Sequence, residues 1–258
     1  MRLKWLQEDR ELRNVASVRL RVRSFAWGCV LAVLSCAAGA AGAVIPKPFV
    51  ATFAVTFRGI SGGTLRMEFR ADTHPNQYIF ETRANPSMLA RLFVSRDAVE
   101  RSVVEVTPAG LRPLSWFADD AKSGSKGDGN VHFDWAAQQV SGETEGKPVV
   151  LPTEPGLQDR MSMQVAVMAE LMQGKEPGPI KMLNDDNIRH YSYTRTGAAA
   201  MDTPLGRLDT VIYESTRPNS NRLSRMWHAP SLDYLPVRLE QVRKGKVETV
   251  MTLVSIER

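Results

Sequence analysis

The side chains best suited to chemistry are few and scattered. Four histidines, His74, His132, His190 and His228, stand at least 38 residues apart. No two share the i+2 or i+4 spacing with which a strand or helix offers two imidazoles to one metal, so any metal centre would have to be assembled by the fold. His190 beside Tyr191 and His228 beside Trp227 read as polar surface or rim positions. The Gly/Ser clusters GISGG and KSGSKGDG lack the Gly-x-Ser-x-Gly spacing that lifts a nucleophile on a strand-to-helix elbow. No helix-forming segment follows the glycines at 59–63, so they do not read as a phosphate cradle. Asn184-Asp185-Asp186-Asn187 lacks the spaced oxygens and glycine of a calcium loop and reads as a solvated turn, as does Asp119-Asp120. These patterns assign no catalytic residue, no metal ligand and no cofactor.

The apolar side chains are more suggestive. In LQDRMSMQVAVMAELMQG, residues 157–174, Met161, Val165, Met168 and Met172 follow helical spacing along one stripe. Leu157, Met163, Val167 and Leu171 widen it, and only Arg160, Gln164, Glu170 and Gln173 are strongly polar. A helix this apolar is buried on most sides. Asp159, three residues before Ser162, suits a cap of its first turn, and Gly174 suits its end. Methionine fills irregular gaps and accepts varied apolar partners, and Trp116, Trp135 and Trp227 add large amphipathic surfaces. As core, these residues need no ligand. As a lid over an apolar trough, Met161, Val165, Met168, Met172 and the three tryptophans become ligand-binding residues.

Strand signals dominate the surroundings. Phe53, Val55 and Phe57 alternate with Thr52, Ala54 and Thr56; Leu65, Met67 and Phe69 alternate with Arg66, Glu68 and Arg70. Period two with one wet face predicts half-buried antiparallel strands. Similar runs recur to the C-terminus at 8–12-residue spacing, about twelve or thirteen in all, which is the rhythm of a sandwich or barrel. Residues 59–63 are expected to form a hairpin turn, and 86–93 could make two helical turns. Pro113 predicts an edge or bent strand. Pro148, Pro152 and Pro155 mark a linker before the helix. The expected fold is mainly β: an antiparallel curved sheet or incomplete barrel, with one main helix (about 157–174) packed across or into it.

Arg19, Arg21 and Arg23, the apolar run FAWGCVLAVL and the small-residue exit AGAAGA together have the form of a secretory signal peptide cleaved near Ala43. Cys36, after Val-Leu-Ser, offers an alternative as a lipid-modified first residue. The expected organisation is a signal peptide over 1–43 and a single β-rich domain over 44–258, placed in the periplasm. Residues 1–43 carry seven Lys/Arg and three acids, so of the 33 basic and 28 acidic residues the remainder keeps 26 and 25, a net charge of +1. The basic pI therefore gives no argument for nucleic-acid binding. Both cysteines, Cys29 and Cys36, lie in the leader, leaving no disulfide for residues 44–258.

Three ordered stretches, PGLQDRMSMQVAVMAEL, TPLGRLDTVIYE and WHAPSLDYLPVRLEQ, resemble the bacterial envelope proteins grouped as domain of unknown function 3108. The resemblance runs from about residue 48 to the C-terminus and is carried mostly by Trp-x-Ala-Pro…Leu-Pro-Val at 227–237. It implies an exported, β-rich domain and supplies no catalytic residues. The functional expectation is a non-enzymatic periplasmic module that binds a lipid, a lipid-linked glycan or a hydrophobic segment in a β trough, with peripheral membrane association. A structural or assembly partner of the envelope with a filled core is the alternative; a hydrolase of envelope polymers would need two carboxylates, or a Ser-His pair, converging in one cleft.

Overall fold

Alternating apolar and polar side chains become fifteen strands of one sheet. A computed structural model describes residues 44–258, apart from residues 93, 94, 96, 123, 125 and 126. The expected leader, its cleavage position and the Cys36 alternative lie outside the described residues. The strands are β1 (Phe49–Phe57), β2 (Ile60–Ala71), β3 (Gln77–Pro86), β4 (Val99–Thr107), β5 (Gly110–Asp119), β6 (Gly129–Asp134), β7 (Gln139–Thr144) and β8 (Lys147–Pro152). After these come β9 (Leu157–Gln158), helix α1 (Ser162–Met172), β10 (Ile180–Asn184), β11 (Asn187–Thr203), β12 (Gly206–Thr216), β13 (Arg222–Ala229), β14 (Leu235–Arg243) and β15 (Lys246–Glu257). Their order across the sheet is β8-β7-β6-β5-β4-β3-β2-β1-β15-β14-β13-β12-β11-β10-β9. Consecutive strands therefore pair with one another, except β8 and β9, which lie at the two outer edges; β1 meets β15, with Val50 opposite Glu257 and Phe57 opposite Thr249. The β9–β10 pair is parallel and the other pairs are antiparallel.

This order forces the sheet to curl. Laid flat, fifteen strands at ~4.8 Å spacing would separate the outermost two by about 67 Å. Those two, β8 and β9, are joined only by residues 153–156, and the step from Pro152 to Leu157 spans at most about 18 Å. The edges must therefore return to one another, which makes an incomplete barrel. At the seam, Gln158 Nε2 donates a hydrogen bond to the Leu111 carbonyl at 2.9 Å, tying β9 to the start of β5.

A curled sheet needs its concave side filled, and α1 supplies the filling. Met161, Val165, Met168 and Ala169 join a core with Phe49, Phe53, Phe69, Val104, Phe133 and Leu253, drawn from strands around the sheet. Val167 and Leu171 turn the other way, onto Tyr193, Tyr213 and Met226 of β11–β13. Two flanks of one short helix thus serve opposite walls, which is why its sequence is apolar nearly all round. The expected architecture is the observed one.

Local boundaries differ in several places, each for a physical reason. The helix begins at Ser162 rather than near 157, because Leu157 and Gln158 are used to pair with β10. Lys147–Pro152 is a strand, not a linker; Pro148 and Pro152 are tolerated there because β8 has only β7 beside it. Pro86 ends β3, and the described residues after it hold a short 3-10 turn, Ala90–Leu92, in place of two helical turns. The β1–β2 turn is just Arg58-Gly59, both in the left-handed region, and β2 begins at Ile60. Gly63 lies inside β2, where a Cβ would sit 2.3 Å from the Asn85 carbonyl oxygen. Pro113 marks a register shift between β4 and β5 and lies outside the segment of β5 that pairs with β6, which starts at Ser115.

Met168 is 1% exposed at the centre of this packing. Met168→Ala is expected to lower unfolding free energy by about 2–5 kcal/mol, and Gln173→Ala, at an exposed site, by less than about 0.5 kcal/mol. Urea titration followed by circular dichroism measures both.

Candidate ligand-binding cleft

Asp159 sets the helix in place. Its Oδ1 accepts from the Met161 and Ser162 N–H groups at 2.7 and 2.8 Å, while Ser162 Oγ accepts from the Asp159 N–H at 2.8 Å. This reciprocal arrangement is the cap expected from the Asp-x-x-Ser spacing. Ser102 Oγ of β4 donates to Asp159 Oδ2 at 2.6 Å, bolting the cap to the sheet. Burial pushes the Asp159 carboxyl up to about 6, against the pull of its hydrogen bonds.

With the helix so fixed, its two faces have different fates. The predicted stripe goes inward: Met161, Val165 and Met168 are buried in the core, and Met172 is half-buried at the helix end. The tryptophans take three separate stations. Trp116 is buried, donates from Nε1 to Glu100 Oε1 at 2.8 Å and carries the Arg160 guanidinium over its ring at 4.8 Å. A Cβ on Gly129 would lie 2.2 Å from the Trp116 ring, so β6 must be bare at that point. Trp135 packs on the core rim, donates to the Pro113 carbonyl at 2.7 Å and lies under Arg112. Trp227 packs from β13, with Arg225 and Arg238 over its ring.

The other face of α1 borders a cleft of about 370 Å³. Met163, Ala166, Val167, Glu170 and Gln173 form its helical wall. The β4–β5 turn (Pro108 to Leu111), Gly156 and Gln158, and the segment carrying Gly178, Pro179 and Ile180 form the rest. None of the seven residues singled out in the sequence is among the lining residues. The walls are more apolar than polar; Gln173 and Lys175 line them at exposed positions, and Gln158 and Glu170 lie deeper. Gln158 is 6% exposed; its Nε2 is spent on Leu111, and its Oε1 is a buried acceptor with no partner among the described residues. Such an atom costs about 1–3 kcal/mol when left unmade. Half-buried Glu170 lies on the same lining, its carboxyl pushed up by burial against the opposing charge of Lys175. Chemically, the cleft suits an apolar body bearing a hydrogen-bond donor. Glu170 could be noticed in the sequence as the polar break in an apolar helix. Nothing in the sequence marks Gln158.

His228 departs from the sequence reading, for it is 2% exposed. Its Nδ1 faces the Tyr234 carbonyl at 2.7 Å, and a carbonyl can only accept, so Nδ1 carries the proton. Nε2 then accepts from the Tyr193 hydroxyl at 2.6 Å. Burial holds the ring near a pKa of about 4, and also raises the phenols of Tyr193 and Tyr213, which lie beside it. Both ring nitrogens are committed to structure. The Tyr234 N–H donates to the Ala229 carbonyl at 2.9 Å, so the stretch from Trp227 to Val237 is a hairpin bend stitched through His228. Asp185-Asp186 is the exposed turn expected. Asp119 and Asp120 are not simply a solvated turn: their carboxylates gather with that of Asp128, within 4.8 Å.

The family model for proteins of unknown function DUF3108 matches residues 52–252, nearly the whole described fold. The chain belongs to the DUF3108 family. The stitched bend at 227–237 lies within the residues matched to DUF3108. A comparison with curated proteins found no match. Among solved structures, a β-barrel-like protein of domain of unknown function DUF1849 from Brucella abortus is similar at 12% identity and a TM-score of 0.50. That alignment covers 83% of this chain and 99% of the other, and shows that the DUF3108 chain shares a β-barrel-like fold. A candidate exported protein with a YmcC-like fold from Bacteroides fragilis aligns at 11% identity over 84% and 100% of the two chains. A candidate lipoprotein from Parabacteroides distasonis aligns at 10% over 84% and 99%; both have TM-scores of 0.34, too loose to carry an argument.

Asp159 and His228 oppose one another in their effect on pH stability. The native carboxyl, titrating at about 6, holds its proton more tightly than the unfolded one at 3.8, so its contribution falls as pH rises from about 4 to 6. The native imidazole, at about 4 against 6.5 unfolded, holds its proton less tightly, so its contribution is lost as pH falls from about 6.5 to 4. Each amounts to about 3 kcal/mol, and in the parent protein the two nearly cancel. Asp159→Asn, which keeps the cap acceptor, is expected to unmask the histidine: stability climbs by about 3 kcal/mol from pH 4 to 6.5. Urea midpoints across that range provide the measurement.

Proposed function

We propose that this protein is a non-enzymatic binding module of the bacterial cell envelope that takes up a small amphipathic ligand, with an apolar body and a hydrogen-bond-donating head. The supporting observation is the 370 Å³ cleft beside α1, where the unpartnered Gln158 carbonyl and the half-buried Glu170 carboxyl interrupt apolar walls. The volume falls at the lower end of the roughly 300–1,000 Å³ typical of small-molecule sites. It accommodates a short acyl or prenyl segment with its polar end, not a whole two-chain lipid. A shift of the Gln158 side chain brings its buried, unpartnered Oε1 to the head, which supplies the donor it lacks. Export supports the envelope assignment through the basic, apolar and small-residue parts of the leader.

Ala166 on the helical wall is the handle for testing this reading, because it lines the cleft and is only half-buried, so a larger side chain there fills the space. Delipidated protein mixed with an envelope lipid extract is expected to retain an amphipathic molecule in native mass spectrometry. Ala166→Trp should reduce that retention by at least about tenfold, since the competing volume is removed. Recovery of protein alone from the parent mixture, with no change in hydrogen exchange of α1, would reject the proposal.

A further inference from the structure

The two rims of the barrel differ in character. The β1–β2, β3–β4, β12–β13 and β14–β15 turns all open on one rim, and hydrogen bonds hold them together. The Arg58 N–H donates to the Glu248 carbonyl at 2.7 Å, and its guanidinium meets the Glu248 carboxylate at 2.6 Å. Ser87, after β3, donates from its N–H to Gly62 O and from its hydroxyl to Ser61 O. The Lys244 N–H donates to Asn221 O, joining the β14–β15 and β12–β13 turns.

This rim carries isolated apolar tips. Phe57, Ile60, Met88, Leu89 and Val247 are 50%, 62%, 80%, 66% and 44% exposed, and they are five of the ten exposed large apolar side chains among the described residues. Between them stands a row of cations. In the antiparallel register Arg222 faces Arg243, and Arg243 faces Lys246. Like charges set directly opposite one another destabilise a sheet on its own. Arg58, Arg91 and Lys244 are also exposed here. Two acids stand among these turns: exposed Asp97 in the β3–β4 turn, and Glu248, which is already bound to Arg58 and is held below the usual carboxylate range by that bond, with the fields of Arg243 and Arg222 adding. Farther round the rim lie more acids: Asp119, Asp120 and Asp128 at the β5–β6 connection, Glu145 in the β7–β8 turn, and Asp185 and Asp186 in the β10–β11 turn. At the opposite rim several cations are paired: Lys181 with Glu154, Arg207 with Asp202 and Arg258 with Asp233.

We infer that the rim formed by the β1–β2, β3–β4, β12–β13 and β14–β15 turns docks on an anionic lipid surface. The apolar tips enter the headgroup boundary, and the Arg222–Arg243–Lys246 row takes the phosphates, relieving its own repulsion. An acidic protein could also match the charge. It would need a fitted hollow for each of several separated tips, however, and a lipid surface needs none. The cleft beside α1 opens at the other end of the strands, by the β4–β5 turn, so this docking is independent of it.

Co-sedimentation of purified protein with phosphatidylcholine vesicles, with and without phosphatidylglycerol, tests the docking. Strong partition onto the anionic vesicles, reversed by high salt, is expected. Lys244→Gln with Lys246→Gln should weaken it by about 25-fold, at about fivefold for each basic residue near the surface. Met88→Ser with Leu89→Ser should weaken it by about tenfold through lost apolar burial. All four positions are exposed, so unchanged circular dichroism accompanies both variants, and Ala166→Trp should bind vesicles like the parent. Equal partition onto neutral and anionic vesicles, no partition at all, or indifference to both double variants overturns the inference. So does tight capture of an acidic protein by the same rim without vesicle binding.

Discussion

The short link between β8 and β9 is the constraint on which the rest of the structure depends. A fifteen-stranded meander whose outer strands are tied together by residues 153–156 cannot lie open. Once it curls, a concave wall must be filled, and a barrel of this strand number is too wide for its own side chains to meet across the centre. One short helix, apolar on both flanks, closes that gap. The Asp159 cap and its bond to Ser102 then determine how the helix enters the hollow. The 370 Å³ cleft lies where the helix turns its remaining face towards the seam.

Much of this fold was legible in the residues because burial on one face of a strand imposes period two. Phe53 and Phe69 were placed inward by alternation alone and are buried. Phe57 shares their face and is half exposed, since alternation reports which face a residue takes and not how near it lies to a rim. The Met-rich helix was recognisable from its composition, but its start was not. Leu157 and Gln158 are as compatible with a helix as with a strand, and only the partner strand β10, beyond the helix, settles the matter. Pro148 and Pro152 looked like linker residues because nothing local reveals that β8 is an outer strand.

The candidate site was harder to see, for a physical reason. Its distinguishing feature is an unmet acceptor, and whether Gln158 Oε1 is met depends on β5, the helix and the chain beyond it. Methionine content pointed to the inward stripe, where the side chains fill space. The smaller residues Ala166 and Ala169, which border the cleft, are what leave room. His228 followed the same pattern. Beside Trp227 it looked like a rim residue, yet Tyr193 and the Tyr234 carbonyl, both distant in sequence or bent back upon it, hold it inside.

The pairing of β1 with β15 has a further consequence for how the molecule comes into being. Val50 must find Glu257, so the closing ladder joins the two extremes of the described chain. Contacts of such separation are the slowest to form. Until the final strand is synthesised, β1 presents an unsatisfied edge, and the two meanders persist as separate curved ribbons. The assembled barrel is therefore a late and cooperative product: β15, the last strand of the described fold, is the one that lets either half become part of a whole.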